Sequence, residues 1–260
     1  MPSRLRDRQS SLAVWAVRLA MLSVPVLVIA ALGHRAGMMD ATTTYGVIAV
    51  GFSIAALAVI AAVSAFAGIW HDGRKGARTA LGGLILGLVI LSVPAIGAWR
   101  VIAYPRLTDV MTDLDDPPEF QAALAERGNG ARPLADPTDD QADLQRDAYP
   151  DLVTRQYPVS TARVFADALA LVADRGWRIL AEHQPDDQDD SGRIEAVAMT
   201  PIFGFRQDVV IRIQSSGDGS LVDMRSAARN GAHDLGADAA RIRDFFGDLD
   251  DSLQGISEQQ

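Results

Sequence analysis

Charged side chains are absent from two long stretches of the chain, residues 41–70 and 79–99, and a third, residues 12–33, carries only Arg18. About 20 consecutive apolar residues cross a bilayer as a helix. The pattern therefore predicts three membrane spans, at about 12–33, 45–70 and 80–104. Arg18 lies near the start of its span, where a long side chain snorkels to the headgroups at modest cost. Trp15, Trp70 and Trp99 stand at segment ends, with Tyr45 and Tyr104 at others, as expected of side chains with an apolar body and a polar edge. Pro25 and Pro94 predict kinks in the first and third helices. Gly83 and Gly87 form a GxxxG, and Ser64 and Gly68 a pair of small residues at the same spacing. Such pairs let helices approach closely, within one bundle or across a dimer; we favour the first.

Beyond residue 105 the pattern changes. Residues 106–148 are rich in Asp, Pro and Gly and show little apolar period beyond a short QAALAE. They read as an acidic linker, partly packed on the following domain, with Phe120 as the expected anchor. Val153, Tyr157 and Val159 then mark a strand, and Ser160 N-caps a helix that Gly176 stops. Alternation through residues 177–182 and 194–198 predicts a strand pair around an acidic turn. Val209, Ile211 and Ile213, a turn over SSGDGS, and residues 221–228 predict a second hairpin. Leu235, Ala239, Ile242, Phe246 and Leu249 recur at helical spacing. The expected fold class is thus a three-helix transmembrane region, residues 1–105, plus an α+β soluble domain, residues 149–251. That domain has an antiparallel sheet of four to five strands with two helices on one face, and residues 252–260 form a disordered tail.

Charge divides the chain at the same place. Residues 1–106 carry a balance of +7 and residues 107–260 a balance of −16. So acidic a domain disfavours nucleic acid, whose phosphates require Lys and Arg. Basic residues also orient the spans. Arg4, Arg6 and Arg8 precede the first helix, and Arg74, Lys75 and Arg78 join the second to the third, against Arg35, Arg100 and Arg106 at the other ends. The basic ends belong in the cytoplasm, which places the N-terminus there. The soluble domain is then periplasmic, outside a bacterial-type inner membrane. A cleaved signal peptide over residues 1–32 is the alternative for the first helix, and it leaves that placement unchanged.

Candidate chemistry is sparse. There is no cysteine, hence no thiolate nucleophile and no Cys zinc site, and Lys75 is the sole lysine. His34, His71, His183 and His233 form no ligand spacing. Asp187, Asp189, Ser191 and Gly192 match part of a calcium loop, but its twelfth position is Ala198. A solvated turn is the preferred reading. No nucleophile motif frames a serine, and no Asp or Glu lies inside a span to relay protons. We therefore expect no cofactor and no metal, and we lean away from an enzyme. The densest polar cluster runs from Arg225 to Phe245. Arg225, Arg229 and Arg241 are placed to converge beside the last helix's N-terminus, an anion site. Alternatively Arg229 or Arg241 pairs with Asp234 to lock the turn, the glycines supplying positive φ.

Three blocks carry a resemblance: DVMTDLDDPPEF at 109–120, TPIFGFRQDVVIRI at 200–213 and RSAARNGAHDLGADAARIR at 225–243. On these residues the chain resembles domain of unknown function family 1499 in its membrane-anchored form. Arg225, Ser226, Arg229, Gly231, Asp234, Gly236 and Arg241 stand where that family's pattern has them. Asp238 replaces an expected Asn. The resemblance implies the fold and the anchoring, and no mechanism. Besides the bilayer, the expected partner is a small anionic or lipidic ligand or an envelope protein. The alternatives are a structural subunit or spacer of a membrane complex and, more remotely, an Asp/Arg enzyme.

Overall fold

The structure, a computed structural model, describes residues 10–254 apart from Arg74, Asn129, Asp187, Gln188 and Asp218. The basic residues Arg4, Arg6, Arg8 and Arg74, Asp187 of the acidic turn, and tail residues 255–260 lie outside the described residues. The chain divides between Trp99 and Arg100 into two compact units, with Ile202–Gly204 grouping with the first.

The first unit holds the three expected spans, α1 (Ser11–Arg35), α2 (Ala41–Asp72) and α3 (Ala77–Ala103), each long and apolar enough to cross a membrane. Ser10 and Asp40 cap α1 and α2 through their side chains. Inside the bundle the buried residues are small: Ala13, Ala16 and Ala20 of α1, Ala55, Ala58 and Ala62 of α2, Ala80 and Gly83 of α3. Large apolar side chains such as Leu22, Ile60 and Val89 point outward. In hydrocarbon no hydrophobic force gathers the helices, so close backbone packing does the work. The GxxxG shows how: a Cβ on Gly83 would lie 2.8 Å from the Ala16 backbone of α1, and one on Gly87 would lie 2.7 Å from Val59 of α2. One motif thus joins α3 to both neighbours, while Gly68 faces open space. The Arg18 guanidinium sits 5.7 Å from the Trp15 ring centroid, directed back toward the start of its helix.

In the second unit a sheet of six antiparallel strands runs in the order β1-β6-β5-β4-β3, with β2 pairing β6 beyond β1. The strands are β1 (Asp109–Met111), β2 (Arg155–Tyr157), β3 (Arg178–His183), β4 (Ser191–Met199), β5 (Arg206–Ser216) and β6 (Gly219–Ala228). The periods predict four to five. The extra strand is β1, whose three residues fall inside the stretch read as linker, too short to show alternation. That stretch also contributes helices α4 (Ala122–Glu126) and α5 (Asp139–Ala148). Phe120 is buried within it, so only residues 104–108 separate α3 from the sheet.

Helices α6 (Thr161–Asp174) and α7 (Ala237–Gln254) cover one face. Alternate strand residues Ile194, Ala196, Val209, Ile211, Val222 and Met224 meet Val164, Phe165, Ile242, Phe245 and Leu249 there. That side is filled, and the sheet stays open instead of curling around α7. The opposite face is covered too, by the segment from Thr112 to α4, through Phe120 and Ala123 packed on Val210 and Ala227. On α5, Gln145 donates to the Met111 carbonyl at 2.6 Å and accepts from its N–H at 3.2 Å. It serves β1's free edge as a neighbouring strand would.

The packing predicts that Gly83→Leu, which forces a side chain into the α1 backbone, lowers the thermal midpoint of the detergent-solubilised protein markedly. Gly68→Leu leaves it within error. Equal behaviour of the two variants in the same melting assay contradicts the in-chain role of the motif.

Candidate functional site

The residues at issue lie on both sides of β6, because successive strand residues point to opposite faces. Ser226 points to the helix face and Arg225 away from it. Arg229, just past the strand's end, reaches the same face as Arg225. Arg241, one turn into α7, lies across the sheet from both. The three arginines do not converge.

Each is closed on carboxylates of its own side. Arg225 grips Asp109, the first residue of β1, with Nε at 3.0 Å and Nη2 at 2.8 Å. It also donates to the carbonyls of Pro118 and Ala135 and lies 5.3 Å from the Phe120 ring centroid. One guanidinium therefore binds three separate points of the segment covering this face. Arg229 grips Asp208 of β5 with Nη2 at 2.6 Å and Nε at 2.9 Å, and Arg127 approaches the same carboxylate at 2.6 Å. Asp208 is fully buried and Arg229 is 4 % exposed. Glu126, at the end of α4, joins them by accepting from Arg229 at 3.2 Å and from Arg178. On the helix face Arg241 donates to Ser226 at 2.8 Å, to Asp238 at 2.7 Å and to Gln207.

The α7 N-terminus is also occupied. Asp234 accepts from the backbone N–H of Gly236 at 3.1 Å and of Asp238 at 2.9 Å, filling with its own carboxylate the place where an anion would bind. The turn-locking contact expected between Asp234 and Arg229 or Arg241 is replaced by this cap, and the arginines take Asp208 and Asp238 instead. Gly231 and Gly236 adopt φ of 92° and 74°. At Gly236 a Cβ would also meet the Tyr104 ring at 2.7 Å. His233 accepts the Leu235 N–H on Nδ1 at 2.9 Å, which leaves Nε2 to donate to the Tyr104 carbonyl at 3.2 Å.

Further members of the network are not evident from the arginine cluster. Glu195 of β4, fully buried, accepts the backbone N–H groups of Gln121 and Ala123, both at 3.0 Å, and so anchors the start of α4. Asp223 of β6 accepts from Thr112 at 2.9 Å, Thr154 at 2.6 Å and Arg212 at 3.0 Å. Arg212 in turn holds Asp113 and Asp116 at 2.9 Å and 2.7 Å. The available signal was period two: Asp208, Val210 and Arg212 alternate with Val209, Ile211 and Ile213, so one face of β5 carries charge beside a buried apolar face. Charge on a strand face reads as solvent exposure, and here it is covered.

Burial raises the carboxyl pKa of two aspartates, Asp109 against the pull of Arg225, and Asp238. At Asp238 burial pushes the pKa up from 3.8 to about 7; Arg241 and the Ser226 hydroxyl pull it down and the Asp234 carboxylate raises it further. Burial wins because only Oδ1 is served by Ser226 and Arg241, and Oδ2 has no hydrogen-bond partner. Beside β1 a cavity of about 210 Å³ opens, lined among others by Asp109, Arg127, Arg132, Leu134, Gln141 and Gln145. Among the described residues no group of three His, Asp or Glu is placed to hold a metal ion.

Two outcomes follow. Arg229→Ala strands a buried carboxylate and should cost about 3–5 kcal/mol of unfolding free energy, measured by chemical denaturation, whereas Arg146→Ala at an exposed pair leaves the midpoint unchanged. For Asp238 the folded pKa exceeds the unfolded one, so between about pH 4 and pH 7 the folded state holds a proton the unfolded state has lost. Stability from this group is greatest at the acid end, falls as pH rises toward 7, and is flat above. Asp238→Asn should remove that slope, read as the difference between wild-type and variant stability across the window.

The geometry can be set beside known proteins. A family model described as "Protein of unknown function (DUF1499)" matches residues 109–249. No curated protein matches. The crystal structure of CalU16 from Micromonospora echinospora is 16 % identical over 41 % of this chain and 79 % of that one, with a TM-score of 0.24. The matched stretch opens on Asp109, where Arg225 clasps β1, and closes on Leu249 of α7, spanning the whole sheet and its ion-pair network: this chain belongs to the DUF1499 family.

Proposed function

We propose that the protein is a bacterial-type inner-membrane protein whose sheet domain stands in the periplasm and works there without catalysis, as a rigid module that binds an envelope partner protein. The observation that carries this reading is the use made of the arginines. Arg225, Arg229 and Arg241 are closed on Asp109, Asp208 and Asp238, and the α7 N-terminal amides on Asp234. Cations that recognise an anion stay available to it; these hold the domain together. The periplasmic placement rests on the basic residues at the first and third loop positions of the spans.

A ligand reading draws on the cavity beside β1, where Arg127 and Arg132 lie in the lining. Its contents would be small and anionic or lipidic. A spacer in a membrane complex is a third reading, favoured by the short link of residues 104–108 between α3 and β1.

Cross-linking in native membranes should trap one stoichiometric envelope protein on the sheet domain. A reporter that is active only outside the cytoplasm, fused after Gln260, should be active. Absence of any stoichiometric adduct removes the partner reading, and a fusion active in the cytoplasm removes the orientation.

A further inference from the structure

The two ends of the sheet differ in chemistry. Register places Asp109 of β1 level with Ala227, Asp208 and Val197 of the next three strands. The chain reaches Asp109 from α3, so this level marks the end of the sheet at which the polypeptide leaves the membrane. The β4–β5 turn overhangs that same end. Its closing pair, Met199 and Arg206, lies two residues beyond the Val197–Asp208 level, about 7 Å at the rise of a strand. The turn itself, residues 200–205, reads TPIFGF. Both hairpins at the far end read differently: QPDDQDD between β3 and β4, and GD between β5 and β6.

An apolar turn on an acidic domain needs a reason. Ile202 is 56 % exposed and Met199 42 %, with Phe203 and Phe205 half-buried. Thr200 closes the turn by donating its N–H to the Phe205 carbonyl at 2.9 Å and accepting the Phe205 N–H on its hydroxyl at 2.9 Å, and Gly204 supplies a φ of 73°. Exposed Arg206 follows at once, the side chain that meets phosphates beside an apolar insertion.

Chain length keeps the start of β1 close to the end of α3. Six residue steps separate Ala103, the last residue of α3, from Asp109. At full extension they reach about 20 Å, and a bond from the Leu107 N–H to the Pro105 carbonyl shortens the link. The link therefore keeps Asp109, at the end of the sheet that carries the turn, within about 20 Å of Ala103. The headgroup layer occupies about 5–7 Å of each side of a bilayer. We propose that the β4–β5 turn is a second membrane contact, inserting Ile202 and Phe203 into the interface of the bilayer that the protein's own helices cross, with Arg206 at the phosphates. The occupant is lipid, and the contact is independent of which side of the membrane the domain occupies.

The absence of cysteine makes the test direct. Ile202→Cys and, at the far end, Ser215→Cys are introduced separately into the full chain, labelled with an environment-sensitive fluorophore and reconstituted in phosphatidylcholine–phosphatidylglycerol vesicles. The label at 202 should shift to the blue and lose most of its emission to a quencher carried on lipid chains. The label at 215 should do neither and should be quenched by aqueous iodide. A label at 202 that iodide reaches and the lipid quencher does not overturns the proposal. So does one that is blue-shifted yet reached by neither quencher, since protein and not lipid then covers the turn.

Discussion

The sheet domain depends on one buried pair, Arg229 with Asp208, reinforced from the other side by Arg127. Asp208 has lost all its solvent, and a carboxylate so placed is tolerated only with charge and hydrogen bonds on each oxygen. Arg229 serves both oxygens and Arg127 the second. Because Arg127 comes from the segment lying over the sheet and Arg229 from the end of β6, the pair fastens that segment at the moment it satisfies the charge. Glu126 extends the same logic to Arg178 on β3, so the network ties the far strand of the sheet to the covering layer as well.

This gives the sheet two cores of different kinds. On the α6–α7 face, burial of Val, Ile, Met and Phe drives association without direction. On the opposite face a small apolar cluster of Phe120, Ala123, Val210 and Ala227, with Leu134 and Leu180 against it, is supplemented by charge-assisted hydrogen bonds from Arg225, Arg212 and Glu195 that position the layer. Such bonds add less net stability than their number suggests, because each ion is first desolvated. They do fix geometry: Arg225 meets Asp109, Pro118 and Ala135 at once, which admits one path for the chain.

That difference explains what was legible in the sequence. The three spans announce themselves by missing charge, and α6, α7, β4, β5 and β6 by regular apolar spacing, because the hydrophobic face they share imposes a period. Segment 106–148 has no such period, since it is held by Asp109, Asp113, Asp116, Pro118 and Gln145 through polar contacts that leave no repeat in the sequence. It read as a tether for that reason. The signature arginines were visible as a cluster along the chain, but strand alternation sends Arg225 and Ser226 to opposite faces, and only their partners, distant in sequence at Asp109, Gln207 and Asp208, reveal that the cluster is two separate clasps.

The position of those clasps bears on the link to the membrane half. A domain joined to a helix through residues 104–108 receives any pull or twist of α3 through that link, which leads directly into β1. That strand is three residues long and would detach readily if its backbone pairing were its only support, since an isolated short edge strand is marginal. Its first residue is the carboxylate that Arg225 grips with two nitrogens, its last is bracketed by Gln145, and the carbonyl before it, on Thr108, accepts the Ala228 N–H at 2.8 Å. Just upstream, the Leu107 carbonyl accepts from Asp234, the residue that caps α7. The entry point is therefore fastened to the sheet and to α7 together. Polar residues concentrate where the chain enters because a strand of three residues buries only Val110 and Met111, and directional bonds to both layers add what that small burial cannot.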